Sequence, residues 1–329
     1  MKALFAAVSL WFAFTVVAAE PEVLSVRKIW EQGKHNAFTD LIRFQDRWLC
    51  AFREGAAHVG GDGKVRILES ADGETWTSAA LLAEEGIDLR DPKLSIRPDG
   101  QLMMVAGGSV YAGTKKLQSL QPRVAFSRDG HEWSAMQRIL AEGDWLWRVT
   151  WYNGTAYGVS YGRTQNNPDP QRALALYSST NGLDWKFTAT LPVTGRPNET
   201  TIRFSRTGEA IMLIRRESED QGGWIGSSKL PFTDWNFTPT KVRLGGPDFV
   251  ELPDGSFVAG SRDHARGEVK FSLFRMTREN LEPTLTLPSG GDCSYPGLFW
   301  HDGLLWVSYY SSHEGKTSIY FAKVKWPAQ

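Results

Sequence analysis

Tyr152-Asn153-Gly154-Thr155 turns one short strand into the next, and the same kind of two-residue corner recurs along the chain. The other corners are Asp46-Arg47, Asp99-Gly100, Thr207-Gly208, Asp254-Gly255 and Asp302-Gly303. Their first residues stand 53, 54, 54, 47 and 48 apart, by subtraction of successive numbers. Asn-Gly and Asp-Gly pairs between strand-like runs are hairpin signals, because a tight turn needs positive φ. Hairpins recurring about every fifty residues predict the blades of a β-propeller. Six corners predict six blades in an all-β fold. The last strand-like run, 317–325, and the first, 23–30, then pair in one blade and close the ring, removing exposed sheet edges.

A second repeat lies between the hairpins. Ser70-Ala71-Asp72-Gly73-Glu74-Thr75-Trp76, Ser127-Arg128-Asp129-Gly130-His131-Glu132-Trp133 and Ser179-Thr180-Asn181-Gly182-Leu183-Asp184-Trp185 share the pattern S-x-[DN]-G-x-x-W. Asp or Asn accepts hydrogen bonds from its own turn, Gly takes the positive-φ corner, and Trp packs the loop on the sheet. These segments match the Asp-box, or BNR repeat, a turn device of sialidases and several unrelated propellers. Residues 227–235 read as a decayed fourth copy. Such turns support a propeller but specify no reaction, since they commonly lie away from the active face.

The 329-residue chain opens with Met1-Lys2, an apolar run from Ala3 to Val17, and Val17-Ala18-Ala19 before Glu20. This describes a cleaved secretory leader, so residues 1–19 are expected to be removed and the chain to be secreted or periplasmic. Residues 20–329 are expected to form a single propeller domain, with no linker composition to divide them. Formal charge is balanced at +0, which gives no reason to expect nucleic acid as a partner, and no later segment is apolar enough for a membrane span. Six scattered His with neither H-x-x-x-H nor C-x-x-C spacing indicate no metal, and no cofactor is expected. Cys50 and Cys293 fall in the first and last blades, neighbours in a closed ring, where an oxidising compartment would permit a clasp. Fourteen Trp suit either sugar stacking or core filling.

The corners also align the blades. Six to eight positions after each corner's second residue lie Arg53, Ala106, Tyr161, Arg215 with Arg216, Arg262 and Tyr310. Six to nine positions before it lie Asp40, Asp91, Arg148, Glu199, Asp248 and Tyr295. Both sets sit at strand ends remote from the turn, so both approach one face. A set this rich in charge is hard to explain as core, because buried charges are costly unless paired. Each arginine alone reads as a strand-end ion pair. Arg53, Arg215 and Arg262 together read as a clamp for a carboxylate, whose geometry suits planar guanidinium groups.

The order Arg53, Asp-box, Glu199, Arg215, Arg262, Tyr295 resembles the sialidase (neuraminidase) family of glycoside hydrolases, including the interval of 16 from Glu199 to Arg215. Asn198-Glu199-Thr200 through Ile214-Arg215 is similar to the family's segment bearing its catalytic Glu and second arginine. Ser294-Tyr295 is similar to the segment bearing its tyrosine. The resemblance implies an exported exo-glycosidase acting on a terminal keto-sugar acid. Arg53, Arg215 and Arg262 would hold the carboxylate, Tyr295 would attack the anomeric carbon, and Glu199 would accept the phenolic proton. A neutral tyrosine suits this substrate, because a carboxylate nucleophile would be repelled by it.

The chain departs from the family at the general acid. The expected position falls in His58-Val59-Gly60-Gly61-Asp62-Gly63-Lys64, where Asp62 is the candidate and also reads as an ordinary Asp-Gly turn. His58, Asp40 and Asp91 are its rivals. Trp145, Trp147, Arg148 and His35-Asn36 are expected to shape the pocket. Two other classes fit the same residues: a propeller lyase using Tyr295, His35 or His58 to remove the C5 proton of a uronate, and a binding propeller without catalysis.

Overall fold

The computed structural model describes residues 19–60, 63–113, 115–264 and 267–327. The leader up to residue 18 and Asp62 therefore lie outside the described residues. Among the described residues every named element is a β-strand, and the strands form six antiparallel four-stranded sheets arranged as propeller blades. Strand β1 (Glu22–Trp30) opens the chain. The first blade then runs β2 (His35–Phe44), β3 (Arg47–Gly55), β4 (Lys64–Ser70) and β5 (Thr77–Leu82). The second holds β6 (Asp88–Ile96), β7 (Leu102–Ala112), β8 (Lys116–Ser127) and β9 (Gln137–Arg138). The third holds β10 (Trp145–Tyr152), β11 (Thr155–Tyr161), β12 (Leu174–Ser179) and β13 (Lys186–Leu191). The fourth holds β14 (Pro197–Phe204), β15 (Ala210–Arg216), β16 (Gly222–Ser228) and β17 (Asn236–Arg243). The fifth holds β18 (Asp248–Glu251), β19 (Phe257–Asp263), β20 (Lys270–Met276) and β21 (Leu281–Leu287). In the sixth, β22 (Cys293–His301), β23 (Leu304–Ser311) and β24 (Ser318–Lys325) are completed by β1, which pairs antiparallel with β24. The two ends of the chain thus close the ring as the sequence predicts.

Burial follows the same plan. Six apolar clusters fill the six seams between neighbouring blades. Ile42, Leu49 and Leu94 lie in the seam of the first and second blades, Leu213 and Phe249 in that of the fourth and fifth. Trp48, Phe52, Trp306 and Phe321 fill the closing seam between the first and sixth. Gly297 lets the sixth blade approach the first closely: a Cβ there would lie 2.1 Å from the backbone nitrogen of Leu41.

The corners are of two kinds. At Asn153-Gly154 and Asp302-Gly303 both residues have positive φ, the signature of a two-residue type I′ turn. The first corner belongs to this kind but sits one residue earlier than the sequence suggests, on Gln45 and Asp46. At Asp99-Gly100, Thr207-Gly208 and Asp254-Gly255 only the glycine has positive φ, within longer loops such as the one closed by Arg97 N on Gln101 O.

The three Asp-type turns join the two outer strands of their blades, at the same end as the corners. In each, the Ser hydroxyl accepts the Gly N–H at 2.8 Å. The Asp or Asn oxygen accepts the next two N–H groups. A fourth turn keeps part of the device: Trp235 Nε1 donates to Phe232 O at 2.8 Å, as Trp133 does to Gly130 and Trp185 to Gly182. Phe232, at φ 65°, stands where the others have Gly. Cys50 and Cys293 are both free and buried, and they pack in different seams, so no clasp joins the blades.

Candidate active site

The inner strands of five blades carry an irregularity near their ends remote from the corners. Register shifts fall at Ala37/Asp40, Arg90/Lys93, Leu146/Val149, Pro197/Thr200 and Ser294/Gly297. Bulges bend a strand and re-aim its side chains. Phe38, Asp91 and Tyr295 hold positive φ at 65°, 49° and 51° within these shifts. Such backbone is costly for large residues and persists only where its surroundings enforce it. In the fifth blade, Gly246 (φ 62°) occupies the equivalent place just before β18.

These positions form an upper tier at one mouth of the axis. The Tyr295 hydroxyl donates a short hydrogen bond to Glu199 Oε1. Glu199 Oε2 accepts from Arg215 Nη1 at 2.7 Å and from Gly246 N at 2.7 Å. Arg215 Nη1 also reaches the Tyr295 oxygen at 3.3 Å, and its Nη2 pairs with Glu217 at 2.5 Å. Gly246 must be small here, because a Cβ would lie 2.4 Å from the Tyr295 ring. Phe38 and Trp147 pack on that ring at 4.9 and 5.5 Å between centroids. The Arg262 guanidinium lies 5.8 Å from its centre.

Electrostatics divide the roles of the pair. Burial works against ionisation of Glu199, yet the Arg215 charge and the hydrogen bonds from Tyr295, Arg215 and Gly246 outweigh it and hold the carboxyl below its ordinary range. Burial and the neighbouring Glu199 charge push the Tyr295 phenol well above its ordinary value. At neutral pH the proton therefore rests on Tyr295 and the charge on Glu199. Burial also raises Asp91, against the pull of Arg90 and Lys93, and the Glu199 charge adds to the rise. Asp91 Oδ1 is buried with no hydrogen-bond partner among the described residues.

Arg262 is held by Cys293 O at 2.9 Å and Tyr310 Oη at 3.1 Å, with Asp292 Oδ1 at 3.4 Å. His264, beside it in sequence, has its imidazole pulled down to about 4 by burial and by the charges of Arg243, Arg262 and Arg215. The potential at that edge of the mouth is positive.

Arg53 stands apart from the open arginines. Its side chain is fully buried against the equally buried Asp88 at 2.7 Å, and it donates to Ala57 O at 2.7 Å. It secures the loop after β3, and Arg90 takes a place nearer the mouth, 5.0 Å above the Phe38 ring. Asp40 and Arg148 form a lower tier with Asp248: Arg148 Nη1 to Asp40 at 2.8 Å, Arg148 Nη2 to Asp248 at 3.3 Å. Leu94 N and Lys93 Nζ bind Asp40 Oδ2 and Thr39 O in the same layer. This network plugs the axis beneath the tyrosine. Trp147 is almost fully buried between Tyr295 and the Lys93 ammonium, so it supports the site from below. His58 is half exposed and hydrogen-bonds Asp292 Oδ2 at 2.8 Å.

Sequence reasoning missed Arg90, Glu217 and Asp292. The first two adjoin residues it did single out, Asp91 and Arg216, while Asp292 lies just outside the aligned windows. It also missed the meeting of His35, His58 and Asp292, whose ligating atoms all lie within 4.8 Å of one another. No short motif signals that group, because its members come from opposite ends of the chain.

No family model matches the chain and no curated protein matches it. Solved structures do resemble it. One is a protein of unknown function from Dyadobacter fermentans, 18% identical with a TM-score of 0.79, covering 93% of this chain and 99% of that one. Another is a mutant alpha-L-arabinofuranosidase from Fusarium graminearum with an iminosugar inhibitor, at 16% identity and TM-score 0.71, covering 92% and 98%. A third is the Trypanosoma rangeli sialidase in complex with sialic acid, at 12% identity and TM-score 0.68, covering 93% of this chain and 58% of that one. At these identities the likeness is one of fold. The chain is a six-bladed β-propeller, of the kind seen in arabinofuranosidase and sialidase structures, with a buried tyrosine–carboxylate–arginine cluster at one mouth of its axis.

Proposed function

We propose that this propeller is a retaining exo-glycoside hydrolase that removes a terminal acidic keto-sugar, with Tyr295 as nucleophile and Glu199 as its base. The observation that carries the reading is the contact of Tyr295 with Glu199, both touched by Arg215. Glu199, kept ionised, takes the phenolic proton as Tyr295 Oη bonds to the anomeric carbon, and returns it when water attacks the glycosyl-enzyme. Arg215 steadies the charge that passes between the two oxygens. Arg215 and Arg262, at the positive edge marked by His264, receive the substrate carboxylate. Asp91 is the candidate donor to the leaving oxygen, and once deprotonated it takes the proton of the attacking water in the second step: its raised pKa keeps more of it protonated than an ordinary aspartate. As an exported enzyme, which the leader suggests, it would meet its glycans outside the cytoplasm.

A second reading has its own support. Arg215 faces Glu199 and Glu217, and Arg262 faces Asp292, so each open guanidinium already has an anionic partner. A site so balanced also suits an uncharged sugar, with Glu199 and Asp91 as the working carboxyls. Aryl glycosides of sialic, deaminated sialic and octulosonic acids, set beside an aryl arabinofuranoside, separate the two. The proposal expects turnover of a keto-acid glycoside that is lost in Tyr295→Phe and Arg215→Ala. Wild-type rates in Tyr295→Phe, or turnover of the arabinofuranoside alone, would overturn it. An unsaturated, ultraviolet-absorbing product from a uronate polymer would point to a lyase instead.

A further inference from the structure

We propose that His35, His58 and Asp292 form a binding site for a divalent transition-metal ion of the zinc class, on the rim of the axis mouth. His35 Nε2 and His58 Nδ1 both converge on one oxygen, Asp292 Oδ2, at 3.2 and 2.8 Å. Ligands about 2.0–2.1 Å from a tetrahedral ion stand roughly 3.3–3.4 Å from one another; both imidazole nitrogens stand near that distance from Asp292 Oδ2, and all three donors lie within 4.8 Å of one another. Two imidazoles and a carboxylate are a donor set for Zn²⁺ or a neighbouring first-row ion, and three protein ligands leave a position open.

The surroundings favour this role for one specific oxygen. Asp292 Oδ1 is taken by the Tyr310 hydroxyl at 2.8 Å, with Arg262 Nη2 at 3.4 Å, and the Asp292 backbone N–H donates to Ser312 Oγ at 2.8 Å. The carboxylate is thus fixed in orientation with Oδ2 turned to the imidazoles, as outer hydrogen bonds fix a metal-binding carboxylate. His58 is held from both sides: its carbonyl accepts from Arg90 Nη1 at 2.9 Å and its ring packs edge-on against Phe38 at 5.2 Å. The two imidazoles meet at 79°, with centroids 5.3 Å apart. His35 is largely buried, whereas the His58 side chain is 51% exposed and that of Asp292 30%, so the open position faces solvent at the mouth. There it would accept an oxygen donor, a carboxylate or a sugar hydroxyl.

The site is assembled by ring closure, His35 and His58 coming from the first blade and Asp292 from the start of the sixth. It does not depend on the glycosidase reading, and its test reads metal uptake rather than turnover. The full chain is stripped with chelator and titrated with Co²⁺, followed by visible absorption, then with Zn²⁺ in competition. One ion per chain is expected. Tyr310→Phe should weaken binding about 10–100-fold through the orientation of Asp292, and His58→Ala should weaken it at least as much. His58 is exposed enough that metal-free His58→Ala should unfold as the wild type does. Failure of the wild type to take up Co²⁺ or Zn²⁺, or uptake unchanged in His58→Ala, overturns the proposal and leaves a hydrogen-bonded triad.

Discussion

Replacing Asp88 by Ala tests what the fold does with Arg53. Both side chains are fully buried and joined at 2.7 Å, and Asp88 Oδ2 also accepts from Gly60 N at 3.1 Å. Asp88→Ala leaves a guanidinium inside the protein without its counter-charge. Breaking a buried pair from one side costs about 3–5 kcal/mol, because the remaining charge is neither solvated nor matched. At roughly 2–4 °C per kcal/mol for a domain of this size, the thermal midpoint should fall on the order of 10 °C. Arg53→Met should cost less, because Asp88 keeps Arg90 at 3.7 Å and the Gly60 N–H at 3.1 Å. The pair Arg53→Met with Asp88→Leu should recover most of the loss, since apolar partners avoid the desolvation penalty. Urea unfolding of the wild type, Arg53→Met, Asp88→Leu and their double gives the cycle, and because the double should recover most of the summed loss, the coupling should exceed about 3 kcal/mol. Losses that simply add, or an Asp88→Ala cost within about 1 kcal/mol as at an exposed pair, would refute the structural role and return Arg53 to the clamp.

Two further outcomes follow from the upper tier. Gly246→Ala places a methyl group 2.4 Å from the Tyr295 ring at φ 62°. It should lower kcat about a hundredfold by displacing the proposed nucleophile, while circular dichroism stays native; an unchanged kcat would mean the ring has room to move. The pH profile should have an acid limb below the ordinary Glu range, because Glu199 works ionised and its pKa is lowered. Its alkaline limb should lie above the ordinary Asp range, because Asp91 works protonated and its pKa is raised. Asp91→Asn should abolish the alkaline limb and slow substrates with poor leaving groups most; a limb that survives assigns the acid elsewhere.

The architecture was legible because a propeller writes its period into turn chemistry: Asn153-Gly154 and Asp302-Gly303 are hairpin corners wherever they occur. The site was legible in part. Counting from the corners found Glu199, Arg215, Arg262 and Tyr295 on one face. It could not see the bulges, which are backbone events without a residue signature, so a window of six to nine positions merged two tiers. Asp40, Arg148 and Asp248 belong one layer below Tyr295, where Arg148 pairs with both carboxylates and Arg203 with the second. The same limit hid the burial of Arg53, which depends on Asp88 arriving from the next blade. It hid Asp292 as well, whose partners Arg262, Tyr310, His35 and His58 gather only when the ring closes. Asp62, the candidate acid nearest the family pattern, lies outside the described residues, and Asp91 takes up that role in the proposal.

The proposed mechanism requires Tyr295 to form a covalent bond to the sugar. A fluorinated keto-acid glycosyl substrate, which slows breakdown of the intermediate, should add its glycosyl mass to one peptide, and fragmentation should place the adduct on Tyr295. Trapping on a carboxylate side chain, or turnover with no adduct on this tyrosine, would rule out Tyr295 as the nucleophile.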